Sequence, residues 1–171
     1  MGNSLLTQPM RHVFFLSVFL FLFAASAQAQ EASMDNLPLP RWAVISVSEI
    51  NLRTGPGKRY PIDWVLRKKG LPVEITQEFD SWRMVREPGG AKGWVSRTML
   101  SSTHNVMIQS GDQSLLAKPD DGARVIARLQ KGVIGRALIC RPQWCQVKVE
   151  SYEGWVPKDT LWGVYPQENF E

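Results

Sequence analysis

Gly93-Trp94-Val95, followed by Leu100, returns as Gly154-Trp155-Val156 followed by Leu161, and the two tryptophans stand 61 residues apart. Upstream of each copy, Trp82 and Trp144, 12 and 11 residues before the repeated tryptophans, and then Lys69-Gly70 and Lys131-Gly132, fall at distances that agree to within one residue. Self-similarity at one spacing confines a chain to repeated structural units. A period of about sixty residues exceeds a solenoid unit and fits two small domains.

The pattern within each copy is that of strands. In the first, Ala43 to Val47, Asn51-Leu52-Arg53, Ile62 to Leu66, Val73 to Thr76, Trp82 to Arg86 and Gly93 to Ser96 are β-branched, aromatic or alternating. They are separated by turn residues such as Thr54-Gly55-Pro56-Gly57, Lys69-Gly70 and Pro88-Gly89-Gly90. Short strands broken every eight to twelve residues predict an all-β fold, here two small barrels of about five strands, each with a short helical turn, at 97–100 in the first.

The first thirty residues stand apart. Arg11 and His12 precede an apolar run from Val13 to Ala25, and Ala27-Gln28-Ala29 places small residues two apart. This reads as a secretory signal over 1–29, cut after Ala29. The run is short for a helix crossing a hydrocarbon core, which needs about 20 residues, so no stable membrane insertion is expected after cleavage. Residues 30–40 are polar with two prolines and read as a flexible lead-in. The domains then follow as 41–101 and 102–171, the second carrying a C-terminal tail. An exported chain is periplasmic or secreted.

Export also bears on the two cysteines, Cys140 and Cys145. They flank Arg141-Pro142-Gln143-Trp144, a turn-like stretch between two strands, where a structural disulfide can form. A redox pair or half a metal site is the alternative. Against it, the spacing is not Cys-x-x-Cys, and His104 is the one histidine beyond the signal.

The landmarks Asn51-Leu52-Arg53-Thr54-Gly55-Pro56, Leu66-Arg67-Lys68-Lys69-Gly70, Trp82, Gly93-Trp94-Val95 and Leu100 together resemble the bacterial SH3 (SH3b) family. The likeness covers about 41–101 and, with fewer landmarks, 104–163. It implies tandem SH3-like barrels, a fold that in this family is usually a non-catalytic targeting or binding module, many of whose members accompany cell-wall hydrolases. Fold alone does not settle function.

The motif inventory agrees with a non-enzyme. The chain has no His-Glu-x-x-His, no Gly-x-Ser-x-Gly, no phosphate loop and no dinucleotide fingerprint. Neither a metal nor a cofactor is expected. Aromatic and basic residues remain: Tyr60, Trp64 and Trp82 are interleaved with Arg53, Lys58, Arg59, Arg67, Lys68 and Lys69. Flat rings offer area to a peptide or sugar, and cations offer attraction to carboxylates. Arg53, Tyr60, Trp64 and Trp82 are therefore the candidate ligand contacts, although Arg53 has a second reading as a brace for the loop after it. Trp94, Trp144 and Trp155 read as structural core.

Charge separates the copies. Residues 40–101 hold eleven Lys and Arg against six Asp and Glu, a balance of +5, whereas residues 102–171 hold eight of each. A basic first copy suits an anionic cell-wall polymer. Nucleic acid fits the charge but not the compartment. In the second copy Leu116 stands where Arg53 does and Lys118 replaces Gly55, so no groove is carried across. The expected function is recognition of cell-wall (peptidoglycan) peptide or glycan through the first domain. The alternative is a periplasmic protein-protein adaptor, docking an envelope protein through strand edges or through Trp162 to Pro166.

Overall fold

The computed structural model of the protein describes residues 37–171, together with Gly2. The expected signal segment over 1–29, its expected cleavage point and residues 30–36 otherwise lie outside the described residues. The first module runs β1 (Arg41–Ile45), β2 (Ile50–Arg53), β3 (Ile62–Leu66), β4 (Pro72–Phe79), β5 (Trp82–Arg86), β6 (Lys92–Ser96), a 3₁₀ turn (Arg97–Met99) and β7 (Leu100–Ser101). The second runs β8 (Asn105–Ile108), β9 (Gln113–Leu116), β10 (Val125–Leu129), β11 (Ile134–Cys140), β12 (Trp144–Val149), β13 (Tyr152–Pro157), a 3₁₀ turn (Lys158–Thr160) and β14 (Leu161–Trp162).

Each module is one antiparallel sheet of seven strands, ordered β3-β2-β6-β5-β4-β1-β7 and β10-β9-β13-β12-β11-β8-β14. Seven exceeds the five expected because a lead strand and a two-residue closing strand join each sheet. Both sheets carry a bulge at the same place, between Ile75 and Gln77 and between Ala137 and Ile139. A bulge adds twist and bends its strand, which curls a sheet around its own core.

The repeated Gly-Trp-Val now has a reason at each position. A Cβ on Gly93 would stand 2.6 Å from the Leu52 Cβ, and one on Gly154 would stand 2.6 Å from the Leu116 carbonyl oxygen. Only glycine lets β6 and β13 approach β2 and β9 that closely. The valines point inward and are fully buried, Val95 and Val156 alike. Trp94 pairs with Arg53, Trp155 with Leu116, and both indoles are buried on the other side of the strand from those valines. The Arg141 guanidinium lies 5.1 Å from the Trp155 ring.

The two cores gather around Leu52, Val73, Ile75, Val85 and Val95 in the first module and around Leu115, Val147 and Val156 in the second. They are not independent, because Met107 and Trp162 of the second module belong to the first module's cluster. Alternation along β4 fails for the same reason. Pro72 to Ile75 are all buried, whereas the strand's second half alternates. One face of Pro72 to Ile75 packs on the first core, and the second module covers the other.

Cys140 and Cys145 are bonded and face each other across β11 and β12. Phe170 runs back alongside, donating its N–H to the Cys140 carbonyl at 3.0 Å and accepting the Cys140 N–H at 2.8 Å. Among the described residues, no helix is long and apolar enough to cross a membrane.

Candidate functional site

Two surfaces are candidates for a site, and the residues singled out in the sequence as ligand contacts direct attention first to the β2–β3 side of the first module. Arg53, on β2, donates from Nη1 to the Tyr60 carbonyl at 2.8 Å, while Thr54 N–H donates to the Pro61 carbonyl at 3.0 Å. These bonds close the 54–61 loop on itself, so Arg53 braces the loop. The Tyr60 ring lies over Gly55, where a Cβ would fall 2.4 Å from a ring carbon. The Arg59 guanidinium sits 5.2 Å from the centroid of that ring. Tyr60 thus fills the loop it belongs to.

Trp64 is different. It is 55% exposed on β3, flanked by Ile62 at 47% and Val65 at 38%. Among the described residues β3 is the outermost strand of its sheet and pairs only with β2, and an edge of this kind presents one row of backbone donors and acceptors. Trp82 does not join this surface, because β2 and β6 intervene between β3 and β5. It lies half-buried in a row with Phe79 and Ser96.

The second surface is a cleft of about 630 Å³ between the modules. Its floor on the first module is one cross-strand row, Trp42–Glu74–Arg86. Facing it are the disulfide-stapled turn at Gln143-Trp144 and the segment from Trp162 to Pro166. Trp144, expected in the core, is instead half-buried and lines this cleft. The Trp162 to Pro166 segment, which the alternative adaptor reading offered beside strand edges as a docking element, is taken up by the first module.

That uptake is specific. Trp162 Nε1 donates to the Pro72 carbonyl at 2.9 Å, and the Trp42 and Trp162 rings meet edge to face at 4.8 Å. Tyr165 packs on Trp42 at 5.0 Å and donates its hydroxyl to Glu74 at 3.0 Å. Glu74 also accepts two bonds from Arg86, at 2.6 and 2.9 Å, and the Arg86 guanidinium sits 4.7 Å from the Trp162 ring. A buried carboxylate is tolerated only when paired and hydrogen-bonded, and Glu74 has both. Burial, followed by the Glu74 charge and hydrogen bond, pushes the Tyr165 phenol well above its usual pKa.

Lys158 lines the same cleft and is buried, its ammonium donating to the carbonyls of Pro166 at 3.3 Å and Glu168 at 2.5 Å and to Asn169 Oδ1 at 3.3 Å. It pins the tail rather than facing a ligand. The Trp42 indole N–H is buried without an acceptor among the described residues, and what Trp42 gives the cleft is ring area.

One signal in the sequence points to this cleft. After Leu100 the first copy turns polar, Ser101-Ser102-Thr103, while after Leu161 the second continues Trp162-Gly163-Val164-Tyr165. An apolar departure from the repeat marks a surface that the other copy does not need.

Among the described residues no group of His, Cys, Asp and Glu could hold a metal. The chain is 27% identical over 128 residues to the Bacillus subtilis (strain 168) protein "Putative N-acetylmuramoyl-L-alanine amidase YrvJ", a match covering 68% of this chain and 24% of that protein. It therefore spans about a quarter of that relative's length. Among solved structures it is similar to NlpC2 from Trichomonas vaginalis, with 15% identity, TM-score 0.35, and coverage of 75% of this chain and 50% of that one. An NlpC/P60 family protein from Bacillus cereus ATCC 10987 gives 14%, TM-score 0.34, and coverage of 71% and 55%. The bacterial SH3 domain profile matches residues 46–102 and again 109–163, one match over each of the duplicate sheets apart from its lead strand, and the chain belongs to the bacterial SH3 domain family as a tandem member.

Proposed function

We propose that this protein is an exported, non-catalytic binding module that recognises cell-wall peptide or glycan through the β3 face of its first module. The observation that carries the reading is the exposure of Trp64 on a free edge strand between basic segments, Lys58-Arg59 before it and Arg67-Lys68 after it. An exposed indole offers a stacking face, an unpaired strand edge offers backbone hydrogen bonds to an extended peptide, and the lysines and arginines draw an anionic polymer. Family membership and the relative named as an amidase support the wall as the partner and export as the route.

The test is co-sedimentation of the purified protein with isolated peptidoglycan at low and moderate salt, beside Trp64→Ala. Trp64 is the cleaner choice over Tyr60, whose ring fills its own loop. Pelleting that Trp64→Ala loses supports the reading. Absence of pelleting at either salt overturns it and directs the search to a protein partner on the same edge.

A further inference from the structure

We infer that the cleft between the modules is a second binding site, selective for a primary ammonium group carried on an aliphatic stem, as a lysine-type side chain presents. The site is separate from the β3 face, and the inference does not depend on wall binding.

The cleft volume of about 630 Å³ lies in the range of ligand sites. Its walls are Trp42, Trp144, Leu161, Trp162 and Tyr165, apolar surface suited to methylene groups. Aromatic faces also attract a cation through the ring quadrupole.

Charge decides the class of ligand. Five charged side chains line the cleft: Glu74, Asp121 and Asp159 against Arg86 and Lys158. Both cations are committed, Arg86 to Glu74 and the Trp162 ring, Lys158 to three acceptors on the tail. Glu74 is committed too, to Arg86 and Tyr165. Asp121 and Asp159 are exposed, and neither is paired with a cation among the described residues. An anion entering here meets two free carboxylates and no free cation. An ammonium group meets the carboxylates at the rim while its stem lies along the indoles. The charge balance is opposite to that of the first module, −1 among the lining side chains (two cations against three carboxylates) where residues 40–101 carry +5.

The test uses the indole N–H resonances of the purified protein in a two-dimensional ¹H–¹⁵N spectrum, with Nα-acetyl-lysine amide as probe. Trp144→Phe and Trp64→Phe assign the two signals that matter. The expected result is a saturable shift of Trp144 with Trp64 unmoved, and binding weakened about tenfold when the probe's amine is acetylated, since that removes its charge and keeps its stem. Asp121→Asn/Asp159→Asn should weaken binding by a similar factor with the remaining indole signals in place. Trp64→Ala should bind the probe like the unaltered protein. A 1,5-diaminopentane arm distinguishes a free diamine from a peptide side chain as the source of the same chemistry. Equal binding of the acetylated probe, unchanged binding by the double variant, or a shift confined to Trp64 would overturn the inference.

Discussion

Trp162, on the last strand of the second module, donates its indole N–H to the carbonyl of Pro72, 90 residues earlier on the first, at 2.9 Å and out of contact with solvent. Proline has no N–H to offer a sheet, so Pro72 enters β4 as an acceptor alone. The second module supplies the donor, and with it a large ring that closes the first module's core.

Replacing Trp162 with alanine should therefore destabilise the whole chain, by about 3–5 kcal/mol. Urea unfolding followed by tryptophan fluorescence should show one cooperative transition for the native protein and two for Trp162→Ala. A single transition at an unchanged midpoint in the variant would show that the modules do not stabilise each other.

Gly93→Ala tests the close crossing of β6 over β2. With the Leu52 Cβ 2.6 Å from the new methyl group, the strands must part, and the expected loss is about 1–3 kcal/mol. Gly90→Ala is the control. A Cβ there would meet nothing within 4 Å, but its φ of +97° disfavours a side chain, so it reports backbone strain without a clash. Thermal melts of the two variants separate these effects.

The disulfide contributes about 2 kcal/mol in the chain-entropy picture, because it closes only a short loop. Cys140→Ser/Cys145→Ser should lose that much in urea unfolding. It should also shift the Trp144 indole resonance, since Trp144 immediately precedes Cys145 on the cleft wall.

Tyr165 makes the interface sensitive to alkali. Its folded pKa is raised above the ordinary 10.0, first by burial and then by Glu74. A raised folded value means that the stability it contributes is complete below about pH 10 and is lost as pH climbs towards the folded pKa. Tyr165→Phe removes this dependence. The stability difference between the native protein and Tyr165→Phe should be constant between about pH 7 and about pH 9 and should shrink above about pH 10. A difference that stays constant into alkali would place the phenol in solvent.

Arg53 has two open readings in the sequence, and its bond to the Tyr60 carbonyl selects the brace, because that carbonyl comes within reach only once the loop turns back. Trp144 reads as core since it sits on a strand in a small domain. It lies half-buried on the cleft wall because strand alternation tells one face from the other without telling which face another module will cover. Trp64 and its exposure follow from an edge position that depends on strand order, a property no local pattern contains.

What the sequence determined by itself was the duplication, the all-β class, the turns and the two-residue alternation along most strands. These follow from spacing, glycine and two-residue alternation, which are local and repeat in both copies. Tertiary structure decided that the copies share a core through Trp162, that Glu74 is a buried and satisfied carboxylate, and that a cleft exists between them. Each of these depends on the meeting of groups roughly 90 residues apart, fixed by the energy of burying one surface against another rather than by the preferences of either segment.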